Sequence, residues 1–191
     1  MKIIFGLGNP GEQYKNTRHN IGKMVIEELS RTKKLKFKRS IILKAFLAKG
    51  IVDKEEVIFA KPQTFMNNSG RSVVSFLKRY RIAEQNALVV YDDVDLQFGQ
   101  MRVRKSGSSA GHKGMDSIIA QIGNTQINRL RLGIGRPERG EISDYVLSDF
   151  RAKEQSALED VIKRACLICE DWISYGSDFV MKSCNRRGGS E

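Results

Sequence analysis

Residues 2–20 read KIIFGLGNPGEQYKNTRHN, and the fold turns on how this stretch is parsed. Ile3, Ile4, Phe5 and Leu7 have the apolar, β-branched character of a buried strand. The run empties into Gly8-Asn9-Pro10-Gly11, and Thr17-Arg18-His19-Asn20 follows. In open α/β folds, sites are built from residues just beyond the carboxyl ends of strands. His19 is one of only two histidines in 191 residues. Imidazole is the side chain best suited to proton transfer near neutral pH.

Gly6-Leu7-Gly8-Asn9-Pro10-Gly11 also satisfies the G-x-G-x-x-G spacing of a dinucleotide-binding turn. Three points count against that reading. Pro10 and Gly11 stand where the pyrophosphate-binding helix should already begin. The helical pattern starts only near Ile21, and no strand ending in Asp or Glu follows at the distance a ribose needs. The basic run near Lys33 is the one feature that would suit a 2′-phosphate.

Outward from this stretch, strands and helices alternate. Ile21, Met24, Val25 and Leu29 repeat at helical spacing, with Asn20 placed to cap the start. A basic run follows (Arg31, Lys33, Lys34, Lys36, Lys38, Arg39). Ile41–Val52 and Glu56–Ala60 then form a hairpin about Asp53-Lys54. Lys61-Pro62-Gln63-Thr64 breaks the pattern before a helix carrying Val73, Leu77 and Tyr80. Ala87–Tyr91 is a strand ending in Asp92-Asp93, and Met101–Arg104 alternates as a half-exposed strand. Ser106–Gly114 is a Gly/Ser-rich loop, Met115–Ile122 a short helix and Leu130–Ile134 another strand. The longest amphipathic helix runs through Leu158, Val161, Ala165, Cys169 and Trp172, and the tail 186–191 reads as frayed. No linker or repeat interrupts the order. The expectation is a single α/β domain over 1–191, three-layered α/β/α, with a twisted, mostly parallel mixed sheet.

The net charge of +11 favours a polyanionic partner, with nucleic acid before an acidic membrane surface. No run of about 18 apolar residues suits a membrane span, and the N-terminal pattern is a strand rather than a signal peptide. Cys166, Cys169 and Cys184 are odd in number and fit a reducing cytoplasm. Cys166-x-x-Cys169 has metal-ligand spacing, but no second pair or nearby His completes a tetrahedral site, so both read as small buried hydrophobes.

Polar clusters recur at strand ends and helix starts: Asn9, His19-Asn20, Phe65–Gly70, Asp92–Asp95 and Gly111–Gly114. Each has a plain structural alternative. His19 could satisfy backbone groups at a helix start, Asp92 could be a turn residue, and Asn67 could cap a helix in competition with Ser69. Taken in order, G-L-G-N-P-G (6–11), T-R-H-N (17–20), T-F-M-N-N-S-G (64–70), Y-D-D-V-D-L (91–96), G-H-K-G (111–114) and R-L-R-L-G-I-G (129–135) resemble the bacterial-type peptidyl-tRNA hydrolases over nearly the whole chain.

The resemblance implies hydrolysis of the ester between a peptide and the terminal ribose of tRNA, by activated water and without metal or cofactor. It implies His19 as catalytic base and Asp92 as the carboxylate that orients it, the base-plus-orienter logic of a triad without a nucleophilic serine. Asn9 matches the residue that distinguishes an N-blocked peptide from a free amino acid. Asn67 matches an amide that holds the peptide or water, and His112 a supporting group. Tyr14 and Phe65 match contacts to the terminal nucleotide and peptide, though both also suit core or rim packing. Lys113 departs from the pattern, which usually has Asn after this His. Arg102, Arg104, Lys105 and Arg131 are candidates for tRNA phosphates, against the alternative of an ordinary solvated face. The implied partner is the acceptor arm and terminal CCA of peptidyl-tRNA, the implied state a cytoplasmic monomer. The competing classes are a non-catalytic RNA-binding module on the same fold and a nicotinamide-dependent oxidoreductase.

Overall fold

A computed structural model of the chain describes residues 1–187. The strands are β1 (Lys2–Gly6), β2 (Lys38–Ser40), β3 (Ala45–Val52), β4 (Glu55–Pro62), β5 (Ala87–Asp93), β6 (Met101–Arg104) and β7 (Asn128–Gly133). The helices are α1 (Ile21–Thr32), α2 (Ser69–Tyr80), α3 (Lys113–Ile122), α4 (Ile142–Val146), α5 (Ala152–Tyr175) and α6 (Ser177–Arg187). The strands form one sheet in the order β2-β3-β4-β1-β5-β7-β6. The central β4, β1, β5 and β7 are parallel, while β3 and β6 run antiparallel to their neighbours and β2 antiparallel to β3.

Strand alternation sorts the core into two layers. Ile3, Phe5 and Leu7 pack with Val73, Phe76, Met115 and Ile118 of α2 and α3. Ile4, Leu88 and Val90 pack with Ile21, Val25 and Ile26 of α1 and with Ala165, Cys169 and Trp172 of α5. Each fully buried aliphatic side chain contributes roughly 1.5–3 kcal/mol. Cys166 and Cys169 are buried in this second layer, and burial pushes the Cys166 thiol up to about 12, so neither offers a ready thiolate ligand.

Three local expectations need correction. The strand expected from Ile41 starts at Ala45, because 41–44 form a turn whose Ile41 and Ile42 are 80% and 84% exposed and pair with nothing in the sheet. Instead Lys38–Ser40, inside the basic run, adds an edge strand. Asn20 occupies the N-cap position of α1, but its side chain makes no capping bond there. Of the expected frayed tail, only Arg186 and Arg187 are described, as the end of α6, and residues 188–191 lie outside those described. Two helices were not anticipated. α4 has no buried residue to mark it, and α6 has a weakly apolar face anchored by Val180 and Cys184.

What positions the far end of the sheet is a backbone-on-backbone contact. A Cβ on Gly6 would lie 2.3 Å from the Gly22 carbonyl oxygen, and one on Gly22 would lie 2.3 Å from that of Val90. Helix α1 therefore sits directly on β1 and β5, and the 3-10 turn Arg18–Asn20 that precedes it is set beside the carboxyl end of β5.

The neighbouring Arg18 holds this turn to the segment after α4. Its backbone N–H donates to Ser148 O at 3.1 Å, and its guanidinium donates to the Ser148 hydroxyl at 2.9 Å and to Asp149 O. It also pairs with Glu154, whose carboxylate caps α5 by accepting from Arg151 N at 2.6 Å. The cation lies over the rings of Tyr145 and Phe150, 4.4 and 5.2 Å from their centroids. With 2% exposure, Arg18 is a buried charge neutralised by geometry rather than by water.

Gly22→Ala is expected to lower unfolding free energy by about 1–3 kcal/mol, read from urea midpoints, because no rotamer moves a Cβ away from a backbone oxygen. Arg18→Met removes the cation from Glu154 and leaves the Ser148 and Asp149 acceptors without their donor, and is expected to cost about 3–5 kcal/mol by the same measurement.

Candidate active site

β5 is buried along its whole length, yet ends in two acids, Asp92 and Asp93. A buried carboxylate must be paired or neutralised. Asp92, 2% exposed, meets two imidazoles: His19 Nδ1 lies 2.9 Å from both of its oxygens, and His112 Nε2 lies 3.1 Å from Oδ1. Burial by itself would raise the Asp92 carboxyl. The two imidazoles that face it, His19 and His112, outweigh that and hold it well below the ordinary carboxylate range.

The network assigns the protons. His112 is the N-cap of α3, and its Nδ1 accepts from Gly114 N and Met115 N, both at 3.2 Å. Its proton must then sit on Nε2, which donates to Asp92. His19 likewise donates from Nδ1 to the carboxylate. This leaves its Nε2 lone pair without a hydrogen bond among the described residues, on a side chain that lines the cleft.

His19, Asp92 and His112 each bring one ligand atom to within 4.8 Å of the others, a spacing a metal ion could use. The donor set does not suit one. A metal on His112 Nε2 would demand an imidazolate, because Nδ1 is already committed as an acceptor. The trio is built as a hydrogen-bonded relay with one free base.

The cleft in front of it holds about 540 Å³. Asn9, Phe65, Asn67, His112 and Lys113 line it together with His19 and Asp92, so the structure unites most of the residues expected from sequence. Asn9 is tightly fixed: its Oδ1 accepts from Met66 N at 2.9 Å, which leaves its Nδ2 as a donor. Asn67 and Phe65 are exposed at the rim, Phe65 by 57%. Tyr14 ends the 3-10 turn Glu12–Tyr14 and is not among the lining residues.

Of the expected phosphate contacts, Arg131 is engaged by Asp93, and Lys105 pairs with Asp178 at 2.5 Å. Arg102 and Arg104 lie opposite Arg131 and Arg129 in the β6–β7 register, on the edge strand. Arg102 is exposed and Arg104 half-buried. The basic run 31–39 reaches the opposite edge of the sheet through β2, and within it Arg31 and Lys33 are already paired with Glu28 and Glu170.

Several residues that shape the site escaped the sequence reading. Asn20 grips Asn9 from both sides, accepting from its backbone N–H at 2.8 Å and donating to its carbonyl at 3.0 Å. Lys23 donates to the same carbonyl at 2.8 Å. Ile142, Val146 and Leu147, on and just after α4, supply an apolar wall. The T-R-H-N motif contained a signal for Asn20. Nothing in the local pattern distinguished Lys23 from any other helical lysine.

Comparison with known proteins bears on what this arrangement does. A family model described as Peptidyl-tRNA hydrolase matches residues 3–191. The chain is 43% identical over 190 residues to a peptidyl-tRNA hydrolase of Aquifex aeolicus, covering 98% of this chain and 97% of that one. It is 46% identical over 187 residues to one of a Sulfurihydrogenibium species, covering 97% and 98% respectively. The crystal structure of peptidyl-tRNA hydrolase from Acinetobacter baumannii superposes with a TM-score of 0.89 at 32% identity, covering 100% of this chain and 96% of that one. The cleft at the end of β5, with its buried carboxylate and two imidazoles, thus lies in a chain that belongs to the peptidyl-tRNA hydrolase family.

Proposed function

We propose that this protein hydrolyses the ester linking a peptide to tRNA, with His19 as general base and Asp92 as its orienting carboxylate. The observation that carries the reading is the 2.9 Å contact of His19 Nδ1 with Asp92, which leaves Nε2 free toward the cleft. A water held there gives its proton to Nε2, and the resulting hydroxide attacks the ester carbonyl. The tetrahedral intermediate collapses with departure of the ribose oxygen, which takes the proton back from His19. The products are a free peptide carboxylic acid and tRNA with its terminal hydroxyl restored. Asp92, ionised because two imidazoles face it, stabilises the transient imidazolium. His112 fixes the carboxylate from its other side.

Asn9 supplies selectivity. Its pinned amide donates to the carbonyl of the peptide bond next to the ester. A free aminoacyl group offers an ammonium there instead, leaving donor facing donor. Asn67 holds backbone or water at the rim, and Phe65 offers a face to the terminal nucleotide or peptide. Ile142, Val146 and Leu147 suit the substrate's apolar side chains. Tyr14, outside the cleft, suits a nucleotide contact beyond the ester.

The net charge of +11 supports binding of the acceptor arm and CCA end through phosphates. Arg102 and Arg104 are better placed for this than Lys105 and Arg131, which are engaged by acids. A tRNA substrate and buried thiols support a cytoplasmic location. No helix among the described residues is long and apolar enough to cross a membrane.

Turnover of N-acetylaminoacyl-tRNA tests the reading. His19→Ala is expected to lower kcat by about 10²–10⁴-fold, while tRNA affinity in a filter-binding assay stays within about twofold. Equal turnover in the variant would remove His19 from the mechanism. The logarithm of affinity for tRNA should fall linearly with the logarithm of salt concentration. Replacing Arg102 or Arg104 by Ala should reduce that slope by about 1 each if each meets one phosphate.

A further inference from the structure

Lys23 is an unusual lysine. It is 7% exposed, and it lies in the first turn of α1, where the positive end of the helix dipole disfavours a cation. Its side chain packs across the Gly8–Asn9 backbone: a Cβ on Gly8 would come within 2.8 Å of Lys23 Cδ. Its ammonium ends on the Asn9 carbonyl at 2.8 Å. The charged groups around it come from three elements: Glu27 on its own helix, Lys61 of β4, and Glu12 and Lys15 in the turn after β1. Two of these acids are already used, since Glu27 pairs with Lys61 at 2.6 Å and Glu12 with Lys15 at 3.1 Å. Lys23 is thus a buried cation at a locally unfavourable place, and its ammonium donates to a carbonyl of the residue proposed to select the substrate. Rule-breaking placements of this kind collect at functional sites.

We propose that Lys23 is a positioning residue of the hydrolytic site: by holding the Asn9 carbonyl from behind, it fixes the direction in which the Asn9 amide donates into the cleft. The inference rests on the hydrolase reading for its consequence, though not for its geometry. Asn20 holds the Asn9 backbone by neutral hydrogen bonds, Met66 N–H holds its side-chain oxygen, and Lys23 adds a charge-assisted bond to the same peptide unit. Burial first, and then the charge of Lys61, push the Lys23 ammonium down to about 8, with Glu27 opposing. The clamp is therefore charged below that pH and becomes a weaker, neutral donor above it.

The test uses the full chain, with Lys23→Met and Lys23→Gln, on N-acetylaminoacyl-tRNA between pH 6 and 9.5. Lys23→Met should raise KM about tenfold with kcat changed by less than about twofold, and Lys23→Gln should fall between it and the wild type. In the wild type KM should climb above a pH of about 8, and in both variants that limb should be missing. A second readout does not depend on turnover. The Asn9 side-chain amide resonances in ¹⁵N-labelled wild-type protein should titrate with a midpoint of about 8 and stay flat with pH in the variants. Wild-type KM and an unchanged alkaline limb in Lys23→Met would overturn the proposal, as would an Asn9 amide that ignores the titration. Absence of hydrolysis by the wild type would instead sink the hydrolase reading and leave the amide titration to decide on Lys23. That titration, made on the wild type, also decides if a variant fails to fold.

Discussion

One buried carboxylate organises the working end of this molecule. Asp92 terminates a strand that is buried throughout, where an unpaired charge would be prohibitive. Two imidazoles make it tolerable, and in doing so their own protons are committed. His112 is locked from behind by the first amides of α3, so it can only donate to Asp92. His19 must present Nδ1–H to the acid, and its other nitrogen is left basic and accessible. The contacts that satisfy the buried acid are the same ones that leave one imidazole nitrogen unpaired, as the proposed general base requires.

That arrangement is possible because backbone meets backbone. Gly6 and Gly22 let α1 approach β1 and β5 more closely than any side chain would allow, and the turn bearing His19 follows it down. Arg18, the neighbour of His19, then draws in the segment after α4 through Ser148, Asp149 and Glu154. The cleft wall and the turn bearing His19 share an anchor. In the G-x-G-x-x-G spacing, Gly6 and Gly8 thus serve close packing against α1 and its preceding turn, while Gly11 serves a turn with positive φ.

The Asn9 side of the cleft follows the same economy. Asn9 is held at its N–H, its carbonyl and its side-chain oxygen, so its amide hydrogens have one direction left. Pre-organised donors discriminate because the wrong ligand leaves them unpaired. Cations that looked equivalent in the sequence separate on the same grounds. Arg131 and Lys105 are engaged by Asp93 and Asp178, whereas Arg102 stays exposed on an edge strand.

Hydrophobic periodicity was enough to read the alternating strands and helices, because burial imposes periods of about 2 and 3.6 on any amphipathic element. It failed where burial is slight: the exposed residues at 41 and 42, the short α4, and α6 with its sparse apolar face. His19, Asp92, Asn9, Asn67 and His112 could be singled out because their motifs are ordered and specific. Their expected roles came from the resemblance, and only the structure supplies the distances and proton directions between them. Lys23 and Arg18 look like ordinary cations in the chain, and only tertiary structure decides that both are buried, one on the Asn9 carbonyl and the other among Tyr145, Phe150 and Glu154. The reason is physical: side-chain chemistry and periodicity are local properties written in the sequence, whereas desolvation and charge pairing depend on distant residues, such as Arg18 and Glu154, 136 positions apart, that meet only when the sheet is assembled.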